Sequence, residues 1–237
     1  ARYRTAGLTE PGSKRNTNED GFHPDPDRAI FFVIDGVGGQ NAGEKAADTA
    51  YSLLRTRLER QTGTVPERIR EAIAIANNEI YALARANAEW DGMACVLTVA
   101  ITLNGHVVVG HVGDSRLYVI QNGSITKVTH DHSPVGERED RGEIDEITAM
   151  RHPPRNEVFR DVGSEQHSPD DPDFIEVIEQ PLFPSAALLL CSDGLTDLVH
   201  SAQILAIFEA HAGNPQRTAR ALVEAANDAG GKDNITV

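Results

Sequence analysis

Apolar positions recur at helical spacing twice in the first half of the chain. Between Ala42 and Arg60 they fall at Ala46, Ala50, Leu53, Leu54 and Leu58, and between Arg68 and Ala88 at Ile69, Ala72, Ile73, Ala76, Ile80 and Leu83. The spacing predicts two amphipathic helices, adjacent and antiparallel. Beyond Gly92 the texture changes to β-branched runs: ACVLTVAITL, a turn at Asn104-Gly105, HVVVGHVG, then RLYVI, a turn at Asn122-Gly123, and SITKVT. Asn-Gly between apolar runs is a strong hairpin signal, because the tight turn that suits strand twist needs positive φ. This stretch reads as an antiparallel meander. Residues 1–10 alternate loosely as a strand, and Phe31–Ile34 reads as a short buried strand ending on Asp35. Residues 131–173 are polar and rich in Pro, Arg and Asp, an irregular exposed insertion with a short helix near Ile144–Met150. Strands return in FIEVIEQPL and AALLLCSD, and helices follow over Ser201–Ala212 and Pro215–Ala229. Runs of strands and helices segregated in this way predict an α+β fold. The expected architecture is a four-layer α-β-β-α sandwich, two packed antiparallel sheets flanked by helix pairs.

Composition narrows the class. The 237 residues contain no Ser/Pro-rich linker, repeat or low-complexity tract, so one domain over residues 1–237 is expected. At 40% hydrophobic and 24% charged residues the chain can bury a sizeable core. A net charge of −14 without a Lys/Arg cluster argues against binding nucleic acid or anionic membranes. The longest apolar runs, Ala94–Leu103 and Ala186–Cys191, fall short of the roughly 20 residues a membrane helix needs. Nothing resembles a signal peptide. Cys95 and Cys191 both lie in apolar runs and read as small buried hydrophobes, which suits a reducing, cytoplasmic compartment. The chain starts at Ala1 without Met and stops in the β-rich DNITV, so it reads as an excised piece with its last strand cut short. A monomer is expected.

The chemistry gathers in acids that share one grammar. Glu19 and Asp20 in NTNED, Asp35 in VIDGVGG, Asp193 in LLLCSDGLTD and Asp233 in GGKDNITV each sit at a strand end or turn beside glycine or a small polar residue. Asp114 occupies a tight connection in GHVGDSRLY. Taken singly, each acid is explained by turn chemistry, in which Asp-Gly is a common pair. Taken together, apolar strands ending repeatedly in Asp would gather like charges at one edge, unfavourable unless a cation sits among them. Dispersed carboxylates and a backbone carbonyl suit hard divalent cations such as magnesium or manganese, and the lack of His and Cys argues against zinc. Gly36, Gly38 and Gly39 directly after Asp35 point to close backbone approach.

RNTNED, VIDGVGG, GHVGDSRLY, CSDGLTD and GGKDNITV, in this order and spacing over about Gly12 to Val237, resemble the bacterial form of the protein phosphatase 2C family, the metal-dependent serine/threonine phosphatases. The resemblance implies the same sandwich and hydrolysis of phosphoserine and phosphothreonine in bacterial phosphosignalling. It also implies a core site for two manganese or magnesium ions with a third, weaker site. Asp35 would bridge the two ions, with the Gly36 carbonyl as a further ligand. Asp193 and Asp233 would complete one ion, Glu19 and Asp20 would serve the other, and Asp114 with Asp193 would match the third. Arg15 would hold the substrate phosphate, for which a guanidinium fork is well shaped. Attack on phosphorus would come from a hydroxide bridging the two ions, with no cysteine nucleophile. The implied partners are phosphorylated Ser/Thr proteins and a cognate kinase.

Two positions depart from the family pattern. Many eukaryotic relatives carry a histidine where this chain has Val37, so the leaving group must take its proton elsewhere. His130 and His132 are candidates by proximity to the insertion, though a structural or exposed role is the simpler reading of each. The other departure, DGMACVLTV in place of a Gly-Thr-Thr type strand start, places Met93–Cys95 in the core. His111 reads as a strand residue with a satisfied hydrogen bond, and Arg116 as the partner of an acid that fixes its turn. The insertion over about residues 133–173 corresponds to the family's variable flap, and its arginines, Arg138, Arg141, Arg151, Arg155 and Arg160, read by default as solvated loop. A non-catalytic phosphopeptide-binding module of the same fold would be expected to lack a metal ligand, and Asp35, Asp193 and Asp233 are all present. A phosphohydrolase of nucleotides or small phosphoesters is the remaining alternative; a P-loop enzyme is disfavoured because the chain has no phosphate-cradling glycine loop followed by Lys-Ser/Thr.

Overall fold

The computed structural model describes residues 3–39 and 41–237. The β-rich segments build two layers. β2 (Asp20–Asp25), β3 (Ile30–Val37), β4 (Ala94–Leu103), β5 (His106–Val112) and β8 (Glu176–Pro181) form a five-stranded antiparallel sheet in the order β2-β3-β4-β5-β8. β6 (Arg116–Gln121), β7 (Ser124–Lys127) and β9 (Ala187–Cys191) form a three-stranded sheet in the order β7-β6-β9. A ribbon of β1 (Thr9–Glu10) and β10 (Ile235–Thr236) extends this second layer, since the Ser192 N–H donates to the Thr236 carbonyl at 3.0 Å.

Alternation along the strands explains the stacking. On β4, Leu97, Val99 and Ile101 face one way, where they join Leu54 and Leu58 of α1 (Ala42–Glu59) and Ile69 and Ile73 of α2 (Val65–Ala86). Ala100 faces the other way and, with Val107 and Val109 of β5, meets Leu117 and Val119 of β6. The far side of the second layer, including Tyr118 and Cys191, packs on Ile204 of α6 (Ser201–Ala210) and on Leu222 and Val223 of α7 (Pro215–Asp228). The layers therefore follow the expected order, helices, sheet, sheet, helices. α2 opens on a capping box in which Thr64 Oγ1 accepts from the Glu67 N–H at 3.3 Å and Glu67 Oε2 accepts from the Thr64 N–H at 3.1 Å. None of the helices described is long and apolar enough to cross a membrane.

The structure corrects several boundaries. β2 was not foreseen, because its sequence DGFHPD is polar and carries Pro24; as an edge strand it tolerates both. β3 does not end on Asp35 but runs on through Gly36 to Val37, paired with Cys95 and Ala94 of β4. Only Thr9–Glu10 of the first ten residues is strand, and residues 1 and 2 lie outside the described residues. The insertion holds a helix, α3 (Pro134–Asp140), besides the expected short one, α4 (Glu146–Arg151). It is not uniformly exposed either: Val162 joins the core, and Arg155 is only 8% exposed because it lies between Asp197 and Glu139. Arg138, Arg141 and Arg151 are exposed as expected, while Arg160 is half-buried.

Candidate active site

The site is built where the two layers meet. Antiparallel register sets Asp20 of β2 opposite Asp35 of β3, while Asp193 opens α5 (Asp193–Thr196), a turn of helix that leaves β9. The Asp35 carboxyl lies near enough to those of Asp20 and Asp193 for both charges to act on it, so the three acids form a row with Asp35 in the middle. Asp20 Oδ2 also accepts from Thr236 Oγ1 at 2.6 Å, tying β2 to β10. Asp114 lies in the turn that carries the chain from β5 in one sheet to β6 in the other.

The row is electrostatically costly. Burial, followed by the charges of Asp20 and Asp193, raises the Asp35 carboxyl well above the usual range. Burial and the charges of Asp114 and Asp197 do the same to Asp193. Asp20 is pushed up to about 6 by burial, against its hydrogen bond from Thr236. Asp114 reaches about 7 through burial and the charges of Asp131 and Asp197. Glu19 is raised as well, chiefly by burial. Glu19 Oε2, Asp20 Oδ1 and Asp193 Oδ1 are shielded from water and have no hydrogen-bond partner. Buried carboxylate oxygens without partners, in an all-oxygen donor set, fit hard divalent cations.

Close backbone approach accounts for the glycines. A Cβ on Gly36 would overlap the Gly43 carbonyl and come within 2.8 Å of the Glu19 carbonyl; one on Gly43 would overlap the Glu19 carboxylate. Gly194 lies as tightly against the Asn234 carbonyl, which seats α5 on the last loop. Gly38 is needed for its φ of +149°, whereas Gly39 faces open space.

Asp233 stands apart from the row. One of its oxygens accepts from the Asn234 N–H at 2.8 Å and lies 3.5 Å from Arg15 Nη2. Among the described residues, neither Asp20, Asp35 and Asp193 nor Asp35, Asp193 and Asp233 bring one oxygen each within 4.8 Å of one another. Its charge nevertheless reaches Glu19, Asp20 and Asp193, raising all three. Arg15 is exposed and borders a cleft of about 630 Å³ lined also by Arg151, Arg155, His200, Lys232 and Asp233. In a chain of net charge −14 this is a local concentration of cations. A larger cavity, about 940 Å³, lies toward the opposite end of β3 among Phe31, Phe22, Leu188 and Phe208; it is mostly apolar and holds none of the acids of the row.

Two contributors escaped the sequence reading. Asn234 accepts from the Glu19 N–H at 2.8 Å and donates to the Pro11 and Thr17 carbonyls at 3.0 and 2.8 Å, so it holds the loop that presents Arg15 and Glu19. Asp197 accepts from Arg155 Nε at 2.9 Å and adds charge to Asp114 and Asp193. The only available signal was their place inside the motifs KDN and DGLTD. The expected roles of other residues hold. Arg116 grips Asp131 through two bonds of 3.0 and 2.7 Å, and buried His111 bonds to Thr98 and to the His130 carbonyl. His130 is exposed against Glu176, and His132 packs at a tilt against the His111 ring, 4.8 Å between centroids, so both have structural partners. Met93 and Cys95 are core.

The protein phosphatase 2C profile matches residues 13–225. The Serine/threonine phosphatase stp of Listeria monocytogenes is 35% identical over 237 residues, covering 97% of this chain and 92% of the relative. The Mycobacterium tuberculosis serine/threonine phosphatase PstP/Ppp superposes with a TM-score of 0.87 at 27% identity over 98% of this chain and 95% of that one. The catalytic domain of PstP in complex with two manganese ions gives a TM-score of 0.86 at 26% identity, covering 98% and 95%. A motif series running from Arg15 to Asp233, a sandwich of matching topology and a profile spanning most of the length agree: the chain belongs to the protein phosphatase 2C family.

Proposed function

We propose that this chain is a metal-dependent phosphatase that hydrolyses phosphoserine and phosphothreonine in proteins of a bacterial signalling system. The observation that supports this most directly is the row Asp20, Asp35 and Asp193, with orphaned oxygens on Asp20 and Asp193, the latter next in sequence to Gly194 of the arginine-lined cleft. Asp35 and the Gly36 carbonyl would hold cations together with Asp193 and Asp233 on one side and Glu19 and Asp20 on the other. Asp114 with Asp193 would take a weaker third. Manganese or magnesium suits these oxygen donors, and the manganese complex of PstP supports the choice. Held by these residues, the cations would supply an acidified water for in-line attack on phosphorus and positive charge against the phosphoryl oxygens.

The chain's own residues bind and orient. Arg15 presents a planar fork to the phosphate from the rim of the cleft, and Arg151 and Lys232 draw a dianionic group toward an otherwise acidic surface. Val37, half exposed at the end of β3, has no proton to give, so the leaving alkoxide is protonated by solvent or another group. Neither thiol serves as nucleophile: Cys95 and Cys191 are buried, and burial pushes Cys191 up to about 12. A single domain over residues 1–237, acting as a monomer in the cytoplasm on phosphoproteins and opposed by a cognate kinase, completes the reading.

The test is hydrolysis of phosphothreonine and phosphotyrosine peptides side by side, with and without manganese. Phosphothreonine turnover that needs manganese and falls at least about 100-fold in Asp35→Asn and Asp193→Ala is expected, in line with losing a group that acts on the transferring phosphoryl. Full activity of either variant would remove the assignment.

A further inference from the structure

Beyond the carboxylate row, the other end of β2 carries a second group of donors. Asp25 lies five positions along the strand from Asp20, roughly 16 Å at about 3.3 Å per residue. One ring nitrogen of His23 and one carboxylate oxygen each of Asp25 and Glu59 lie within 4.8 Å of one another. β2 supplies the first two and the last turn of α1 the third. The imidazole is held rigidly: it stacks on Phe32 at 4.9 Å, meets the edge of Tyr51 at 5.6 Å, and its Nδ1 bonds to the Tyr51 hydroxyl at 3.0 Å. Nε2 is shielded from water, has no hydrogen-bond partner and faces Asp25 Oδ2 at 3.8 Å. The side chains of His23 and Asp25 are only 12% and 11% exposed. A ring whose Nδ1–H donates to Tyr51 turns the Nε2 lone pair into this cluster, the outer hydrogen bond that orients a metal-bound histidine. Glu59 stands at the negative end of the α1 dipole, which adds to the pull on a cation. Arg28 lies 3.1 Å from Asp25, and Arg55 the same distance from Glu59; both are more than half exposed and can turn to water.

We propose that His23, Asp25 and Glu59 form a second cation site for a borderline divalent metal, zinc above manganese, separate from the oxygen-only centre. One nitrogen and two carboxylates with a water in the fourth position match tetrahedral zinc, and an imidazole donor favours zinc over manganese in the general affinity order. The site sits on the edge strand that carries Asp20, so its occupancy braces β2 against α1.

The probe is zinc itself, measured by equilibrium dialysis with manganese in excess to occupy the oxygen-only centre, in wild type, His23→Gln and Glu59→Gln. Wild type should bind one more zinc per chain than either variant, with affinity in the variants down about 10-fold or more, and manganese-dependent hydrolysis should be equal in all three. Cobalt in place of zinc should give a visible spectrum with a nitrogen ligand in wild type that His23→Gln lacks. Should His23→Gln fail to fold, Glu59→Gln, at a helix end, still decides the question. Equal zinc uptake in wild type and Glu59→Gln, or uptake lost in Asp193→Ala while kept in Glu59→Gln, overturns the proposal.

Discussion

Adding one methyl group at Gly43 should separate stability from metal dependence. The new Cβ would lie on top of the Glu19 carboxylate, 2.7 Å from its Cδ and 3.1 Å from the Gly36 carbonyl carbon. The Glu19 carboxylate is the far end of a flexible side chain, so it can swing aside. Gly43 lies in the first turn of α1, where alanine is favoured over glycine by up to about 1 kcal/mol, which offsets the local crowding. Net stability should change by less than about 1 kcal/mol, a Tm shift within about 4 °C for a domain of this size. The manganese concentration giving half-maximal hydrolysis should rise about 10-fold or more, because Glu19 has left the site. Gly36→Ala provides the contrast. There the Cβ meets main chain on both sides, the Gly43 carbonyl and the Glu19 carbonyl at 2.8 Å, so β3 and α1 must part. Overpacking of that kind destabilises by about 1–3 kcal/mol, or roughly 2–4 °C per kcal/mol. Thermal melts of the metal-free proteins and manganese titrations of peptide hydrolysis read both effects. A Gly43→Ala protein with wild-type manganese dependence would refute the role of Glu19, and a Gly36→Ala protein as stable as wild type would refute the backbone contact.

Four further outcomes are expected. Arg116→Met leaves Asp131, only 4% exposed, without its partner, and should lower stability by about 3–5 kcal/mol in urea titrations; adding Asp131→Asn should recover much of the loss. His111 is held at about 4 by burial and by neighbouring His132, with Glu176 and Asp131 opposing. Between about pH 4 and 6.5 the unfolded chain therefore binds more protons at this ring, so stability rises with pH through that window. From pH 7 to 5 about 2 kcal/mol should be lost from this group, and that part of the urea-midpoint shift should vanish in His111→Gln. Val37→His offers the leaving group an acid and should alter the acid limb of the rate profile; an unchanged limb would show that position 37 is remote from the leaving oxygen. Asp193→Asn removes a buried charge from the row and should raise the melting temperature of metal-free protein even as it removes activity, whereas a lowered one would mean that the row is not a source of repulsion.

Periodic elements were readable because their signal is local. α1 and α2 follow a stripe that a single window reveals, and both Asn-Gly hairpins lie where the turn chemistry put them. The failures share the opposite cause. β2 is a strand because β3 pairs with it, not because DGFHPD favours one, and Asp35 lies inside a strand because β4 supplies partners beyond it. Arg155 looked like a solvated flap residue until Asp197, 42 residues away, covered it. Asn234 works on residues 215 to 223 positions earlier, a distance no sequence window spans. The motif acids were found because their grammar repeats, but the reading could not show that Asp233 leans toward Arg15 instead of joining the row.

The architecture explains why the acids are spread so widely along the chain. Asp20 and Asp35 belong to the five-stranded sheet, Asp193 and Asp233 to segments leaving β9 and entering β10 in the other layer, and Asp114 to the turn between layers. No single element carries the site, so its geometry depends on the two sheets being packed in register. The apolar seam of Ala100, Val107, Val109, Leu117 and Val119 sets that register, while the acids at its edge repel one another across the layers. Cations bound between them would tie the sheets together and stabilise the folded form by an amount that grows with the logarithm of their free concentration once it exceeds the dissociation constant. With cations held there, binding and closure of the sandwich edge would be two descriptions of one equilibrium, and the glycines that bring β3, α1 and α5 close would matter as much as the acids they seat.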